Sequence, residues 1–186
     1  ASDEKNSIKT LGRGGSDYTA SLVASFLNAN LLEIWTDVNG MYTANPSIVN
    51  QAKPIPKLSY QEAMELSHFG AKVLYPPTIQ PLIKKKIPVF IKNTFNYKSP
   101  GTMISSDSIN DEKNVVKGIS HIDNVSLINL EGSGMIGITG FSQKLFHALS
   151  SNNINIIMIT QASSEHSICI GLTNNDAEKA KKIIEN

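Results

Sequence analysis

Thr-Leu-Gly-Arg-Gly-Gly-Ser-Asp, residues 10–17, separates a polar opening stretch from an apolar helical pattern, and the fold is read outward from it. Glycines allow the backbone to come close to an anion. A helix amino terminus and Arg13 both present positive charge to such a ligand. Tyr18, Leu22, Val23, Phe26 and Leu27 recur at helical spacing, so a helix is expected from Ser16 or Asp17, either of which can cap it, to the Asn28-Ala29-Asn30 break. LLEIWTDV, residues 31–38, then reads as a buried strand ending in an Asn39-Gly40 turn. The glycine turn is not a P-loop, since no Gly-Lys-Ser/Thr follows, and it is not a dinucleotide fingerprint. An arginine among glycines instead offers a planar fork to a carboxylate or phosphate.

Further along, Ser59-x-x-Glu62 is a capping box that opens a helix through Phe69, which Gly70 stops. Pro76 and Pro77 suit the first turn of a helix ending near Lys86. Residues 87–93 and, more weakly, 101–105 read as strands, giving the alternation of an α/β layer. A polar stretch at 105–114 reads as a linker. Beyond it come a strand at 125–130, a loop studded with Gly132, Gly134, Gly137 and Gly140, a helix at 142–151, strands at 154–160 and 167–173, and a helix at 176–185 capped by Asp176. That order, β-α-β-β-α, suits a small ferredoxin-like sandwich.

Ligands of open α/β sheets collect at the carboxyl ends of strands, where Thr36 and Asp37 fall. Asp37 there either holds a hydroxyl or metal-linked group or only starts the following turn. Tyr42 either contacts a base or packs at a rim. Lys72, just past a helix end, is either a point charge for phosphate or a partner for the helix dipole. The histidines show no ligand spacing, so no metal site is built from them. Met135 and Met158 read as packing residues.

A formal net charge of +1 gives no electrostatic case for nucleic acid or an acidic membrane. Lys84-Lys85-Lys86 reads as a solvated run at a helix carboxyl end. Cys169, the one cysteine, lies in an apolar run and reads as a buried inert thiol, consistent with a reducing cytoplasm. No apolar run spans a bilayer, and residues 1–9 lack a signal-peptide core. The start without methionine reads as that of a fragment.

LGRGGSDY (11–18), EIWTDVNGMYT (33–43), LSYQEAMELSHFGAKVLYP (58–76), IPVFIKNTFN (87–96) and SPGT (99–102), with VKGIS (116–120) and ITQASSEHS (159–167), together resemble the aspartate kinase family, above all the kinase part of its bifunctional aspartokinase–homoserine dehydrogenases. The resemblance implies the carboxyl-terminal part of an amino-acid-kinase-type α/β/α sandwich over residues 1–106, a linker at 107–114, and a ferredoxin-like (βαββαβ) ACT regulatory domain at 115–186. It implies transfer of the γ-phosphoryl group of ATP, with Mg2+ accompanying the nucleotide, to the side-chain carboxylate of L-aspartate. Arg13 and Ser16 fall on aspartate-holding positions, Asp17 on one that organises the catalytic centre, and Thr36, Asp37, Tyr42 and Lys72 on nucleotide positions. Phosphoryl transfer is mostly positioning and charge neutralisation, so such residue types suffice.

Three departures accompany the resemblance. The family's Lys-Phe-Gly-Gly segment is not in the chain, so this polypeptide alone is expected to lack kinase activity. The usual Asp-Pro-Arg reads Asn45-Pro46-Ser47, and Tyr75 stands where the family often has histidine. For regulation, the resemblance implies ACT domains paired into a homo-oligomer, with an amino-acid effector bound around Gly134, Met135, Ile138, Ile156 and Gln161. Lysine-sensitive relatives carry an aspartate where this chain has Ile157, so an ammonium would lack its counter-charge and threonine is the expected effector. Two other readings stand beside this one: another carboxylate or nucleotide kinase of the same fold, against which residues 116–186 argue, and a non-catalytic amino-acid-binding regulatory module.

Overall fold

The computed structural model describes residues 2, 4–68, 73–106, 116–132, 139–161 and 167–185. The chain divides into two compact units, Ala1–His121 and Ile122–Asn186. Residues 116–121, expected at the start of the ACT domain, pack with the first unit.

In the first unit, helix α1 (Gly15–Leu27) is followed by strands β1 (Leu32–Thr36) and β2 (Lys57–Ser59), helix α2 (Tyr60–His68), a 3-10 turn (Pro76–Ile79), helix α3 (Gln80–Ile83) and strands β3 (Val89–Asn93) and β4 (Thr102–Ser105). The sheet order is β1-β3-β4-β2. β1 runs parallel to β3, from Leu32 opposite Val89 to Thr36 opposite Asn93. β4 is antiparallel to β3 and parallel to β2. Val89, Ile91 and Asn93 alternate inward along β3, the period of a strand with one buried face. Ile91, Ile104, Leu82 and Ile79 are wholly buried and share a core with Ala24, Ala63 and Leu66 of the helices. Each buried leucine or isoleucine contributes roughly 1.5–3 kcal/mol.

The structure departs from the sequence pattern at several local points. Neither Ser16 nor Asp17 caps α1: the N-cap is Gly14, in the left-handed region, and both residues lie inside the first turn. The helix ends as expected, at Asn28 in the left-handed region. The 31–38 strand is shorter, and only Ile34 of β1 is buried, because β1 ends the sheet order and leaves Trp35 45% exposed. The helix expected to reach Lys86 is a 3-10 turn and one α turn, since prolines at 76, 77 and 81 supply no backbone donors. Lys85 does cap a helix end, but a distant one: its Nζ donates to Ser25 O at 2.5 Å and Asn28 Oδ1 at 2.6 Å, at the close of α1. The three-residue β2 carried too little pattern to be foreseen. The Ser59–Glu62 capping box is made reciprocally, Ser59 N–H to Glu62 Oε2 at 2.7 Å and Glu62 N–H to Ser59 Oγ at 3.1 Å. The expected end of that helix, Phe69-Gly70, lies outside the described residues, as does the 107–114 linker.

In the second unit, β5 (Val125–Glu131), α4 (Phe141–Ser151), β6 (Met158–Thr160), β7 (Ser167–Thr173) and α5 (Asn174–Ile184) form an antiparallel sheet of order β5-β7-β6 carrying both helices. These are the first five elements of a βαββαβ sandwich. Ile168, Ile170 and Leu172 face a core with Leu145, Leu149 and Ala180. The strand expected from 154 begins only at Met158, because Ile154 is spent closing α4, its N–H donating to Leu149 O at 3.0 Å. Thr173, not Asp176, is the N-cap of α5, and its Oγ1 donates to Asp176 Oδ2 at 2.9 Å. Cys169 is only half-buried, facing away from Ile168 and Ile170. Met158 is 42% exposed on the terminal strand β6 rather than packed away. Among the described residues no helix is long and apolar enough to cross a membrane.

Candidate functional site

The glycine turn feeds directly into α1. Gly12 and Gly14 take φ of 72° and 68°, which glycine adopts without strain. Gly15 N–H donates to Gly12 O at 3.2 Å and Tyr18 N–H to Gly14 O at 3.0 Å. No side chain caps the helix, so its amino end presents first-turn donors beside the exposed Arg13. Ser16 Oγ donates to Asp17 Oδ1 at 3.3 Å, and Thr19 Oγ1 to Gly15 O at 2.7 Å. A Cβ on Gly14 would stand 2.3 Å from Tyr75 Cβ, so that tyrosine lies directly on the turn.

The second element is the carboxyl end of the parallel pair β1–β3. Thr94 N–H donates to Thr36 O at 2.8 Å, carrying the pairing one residue past the end of β3. Thr36 Oγ1 donates to Asp37 Oδ1 at 3.1 Å. Asn93, almost fully buried, donates from Nδ2 to Asn39 Oδ1 at 2.8 Å and Asp37 O at 3.4 Å, and accepts from Phe95 N–H at 2.8 Å. Asn39 Oδ1 also accepts from Asn96 Nδ2 at 3.4 Å, and Asn39 Nδ2 donates to Tyr42 OH at 3.3 Å. An asparagine relay therefore ties Asp37 and Tyr42 to the end of β3.

Below this relay the chain is pinned by Thr102, wholly buried, whose Oγ1 accepts from Met41 N–H at 2.8 Å and donates to Ile55 O at 2.7 Å. Gly40, at φ 109°, is required there, because a Cβ would reach within 2.4 Å of Thr102 Oγ1. Tyr42 bridges Pro54, and Thr43 exchanges bonds with Lys53. Asn45 Oδ1 accepts from both Ser47 N–H and Ser47 Oγ, at 3.0 and 2.8 Å, closing the turn where the family pattern has arginine. Tyr42 lines an apolar cavity of about 200 Å³ with Val38, Asn45, Pro46, Val73 and Ile119.

The two elements meet through residues 73–75. Val73 lines the Tyr42 cavity, and Tyr75, two residues on, lies against Gly14. Two residues span at most about 7 Å, so residues 73–75 link the wall of the Tyr42 cavity to the glycine turn. Lys72 lies outside the described residues. Asn93, Asn96 and Thr102 are not singled out by the sequence, and Asn39 reads there only as a turn residue; the readable signal is an asparagine closing each of two strand patterns. Among the described residues no cluster of three acidic, histidine or cysteine groups could hold a metal ion.

In the second unit, Ile156 is half-buried against the core and Gln161 is exposed just past β6. Gly134, Met135 and Ile138 lie outside the described residues.

Comparison with known proteins bears on this arrangement. Residues 1–93 match the amino acid kinase family and residues 128–186 an ACT domain. A bifunctional aspartokinase/homoserine dehydrogenase of Haemophilus influenzae is 47% identical over 185 residues, 100% of this chain and 23% of that protein. The chain thus spans under a quarter of that relative's length. Among solved structures, Escherichia coli aspartokinase III in complex with lysine and aspartate (T-state) superposes with a TM-score of 0.68 at 36% identity, over 92% of this chain and 38% of that one. The same enzyme in complex with aspartate and ADP (R-state) gives a TM-score of 0.60 at 27% identity, over 96% and 57%. With half its length under the family model and aspartokinases alike in sequence and fold, the chain belongs to the amino acid kinase family and carries an ACT domain after its kinase segment.

Proposed function

We propose that the chain is the carboxyl-terminal portion of an ATP-dependent, cytoplasmic aspartate kinase under ACT-mediated feedback, in a polypeptide that also bears homoserine dehydrogenase. The observation that carries this reading is the link through Val73 and Tyr75 between the cavity that Tyr42 lines and the glycine turn bearing Arg13 at a helix amino terminus. Arg13 and Ser16 hold the aspartate carboxylates, with Asp17 ordering the same turn. Thr36, Asp37, Tyr42 and Lys72 hold the nucleotide, and the Tyr42 cavity has room for one ring system rather than a whole nucleotide. Support comes from the relative solved with aspartate and ADP.

Mg2+ is usually held by one or two carboxylates and the substrate phosphates, not by a protein cage. The exposed Asp37 beside Thr36 Oγ1 suits that arrangement. Bound there, the ion would neutralise phosphate charge. The chain's own residues orient: the Asn93–Asn39 relay fixes Asp37 and Tyr42, and the uncapped α1 end holds the acceptor's charge. The 186 residues alone, without the family's Lys-Phe-Gly-Gly segment, are proposed not to turn over. Calorimetric titration with Mg·ADP and a coupled ADP-release assay test both statements. No Mg·ADP binding defeats the nucleotide site; turnover defeats the inactivity.

For the second unit we propose threonine as effector, contacting Gln161, Ile156 and residues 134, 135 and 138. We also propose homo-oligomer formation through the ACT sheet, whose terminal strand β6 exposes Met158 and Ile159.

A further inference from the structure

Residues 116–121 close the first unit, and Ile122, the next residue, opens the second. Three separate contacts seat this segment. Lys117 Nζ stands 2.7 Å from Glu62 Oε1, with the two side chains 21% and 32% exposed. Ile119 N–H donates to Thr43 O at 2.8 Å. Gly118 packs so closely that a Cβ would lie 3.0 Å from Leu66 Cδ2 and 3.4 Å from Thr43 O. Ile119, Ser120 and His121 then form part of the wall of the cavity that Tyr42 lines.

Both anchors are themselves fixed. The other carboxylate oxygen of Glu62 accepts the Ser59 amide of the capping box, so the anion cannot swing away without opening α2. Thr43 is bonded on its far side to Lys53 through both N–H and Oγ1. The segment therefore grips the carbonyl next to Tyr42 against a rigid helix end. A charge-assisted contact shielded in this way is worth more than a solvent-exposed ion pair.

We infer that residues 116–121 are a strap that positions the Tyr42 loop, with Lys117, through Glu62, as its positioning residue. The strap makes the geometry of the Tyr42 cavity depend on a segment continuous with the ACT domain. Its effect on ligand affinity rests on the reading of that cavity as part of the nucleotide site.

The test compares the whole chain with Lys117→Met, Lys117→Arg and Glu62→Gln. Amide hydrogen exchange is read over residues 41–53 and 116–121, and Mg·ADP is titrated calorimetrically. Lys117→Met and Glu62→Gln are expected to speed exchange in both segments roughly tenfold and to weaken Mg·ADP by a similar factor, while Lys117→Arg restores both. If Lys117→Met fails to fold, Glu62→Gln, which keeps an acceptor for the Ser59 amide, decides alone. Wild-type exchange at 41–53 in the variants, or acceleration confined to 116–121, overturns the strap. Faster exchange at 41–53 in a chain that binds no Mg·ADP supports the strap and removes the nucleotide reading.

Discussion

Tyr75 fills the space above Gly14 that a side chain would need. The position that departs from the family's histidine is therefore in direct contact with the glycine turn. A Gly14→Ala chain must both displace Tyr75 and hold alanine at positive φ. Together these cost about 2–4 kcal/mol. Urea unfolding followed by the emission of Trp35, the single tryptophan, reads this for the first unit. Tyr75→His keeps the Cβ and ring carbon at the contact and should shift the midpoint little.

Thr102 is the buried link between the Met41 and Ile55 backbones. Replacing it with valine conserves shape and strands a buried N–H and a buried carbonyl. The expected loss is about 2–3 kcal/mol. Thr102→Ser, which keeps the hydroxyl, should lose clearly less in the same denaturation experiment.

Burial pushes the Glu62 carboxyl up, but bonds from Lys117 and Ser59 and the Lys117 charge outweigh it, leaving the group below its ordinary value of 4.5. A carboxyl lowered on folding adds stability that is present in full above 4.5 and disappears as pH drops through its folded value. Glu62→Gln should therefore be less stable than wild type near neutrality, with the gap narrowing in acid. Urea midpoints from pH 7 down to pH 3 check this; a gap that widens with acid contradicts it.

Asp37→Asn keeps an acceptor for Thr36 Oγ1 and removes only the charge. Loss of one charge-assisted contact, about 1.5–3 kcal/mol, corresponds to roughly 10–150-fold weaker Mg·ADP binding. Calorimetry measures it, and circular dichroism should show an unchanged fold.

Threonine should give a saturable heat on titration into the intact parent protein, reduced by Gln161→Ala, and lysine should give none. Saturation by lysine with a flat threonine trace contradicts the effector assignment.

The capping box, the Asn28 break and the order of the second unit were legible because each rests on neighbours in sequence. What escaped depended on partners far along the chain. The N-cap position of α1 falls on Gly14, rather than on Ser16 or Asp17, and Tyr75 leaves no room for a capping side chain there. The asparagine relay joins residues 39, 42 and 93, a juxtaposition created by the parallel β1–β3 register. Lys85 was recognised as a helix cap, but its helix is the one that ended 57 residues earlier at Asn28. The site's outer residues were readable as types; the inner ones that orient them became visible only through pairing.

The β1–β3 ladder has a kinetic consequence. Glu33 and Lys92, which meet across it, are 59 residues apart in sequence. Parallel partners so remote must search for one another before any ladder bond rewards them, so the Trp35 environment should mature late during refolding. Until then the apolar segments 31–36 and 89–93 remain unshielded, and dilution during renaturation should raise the recovered yield.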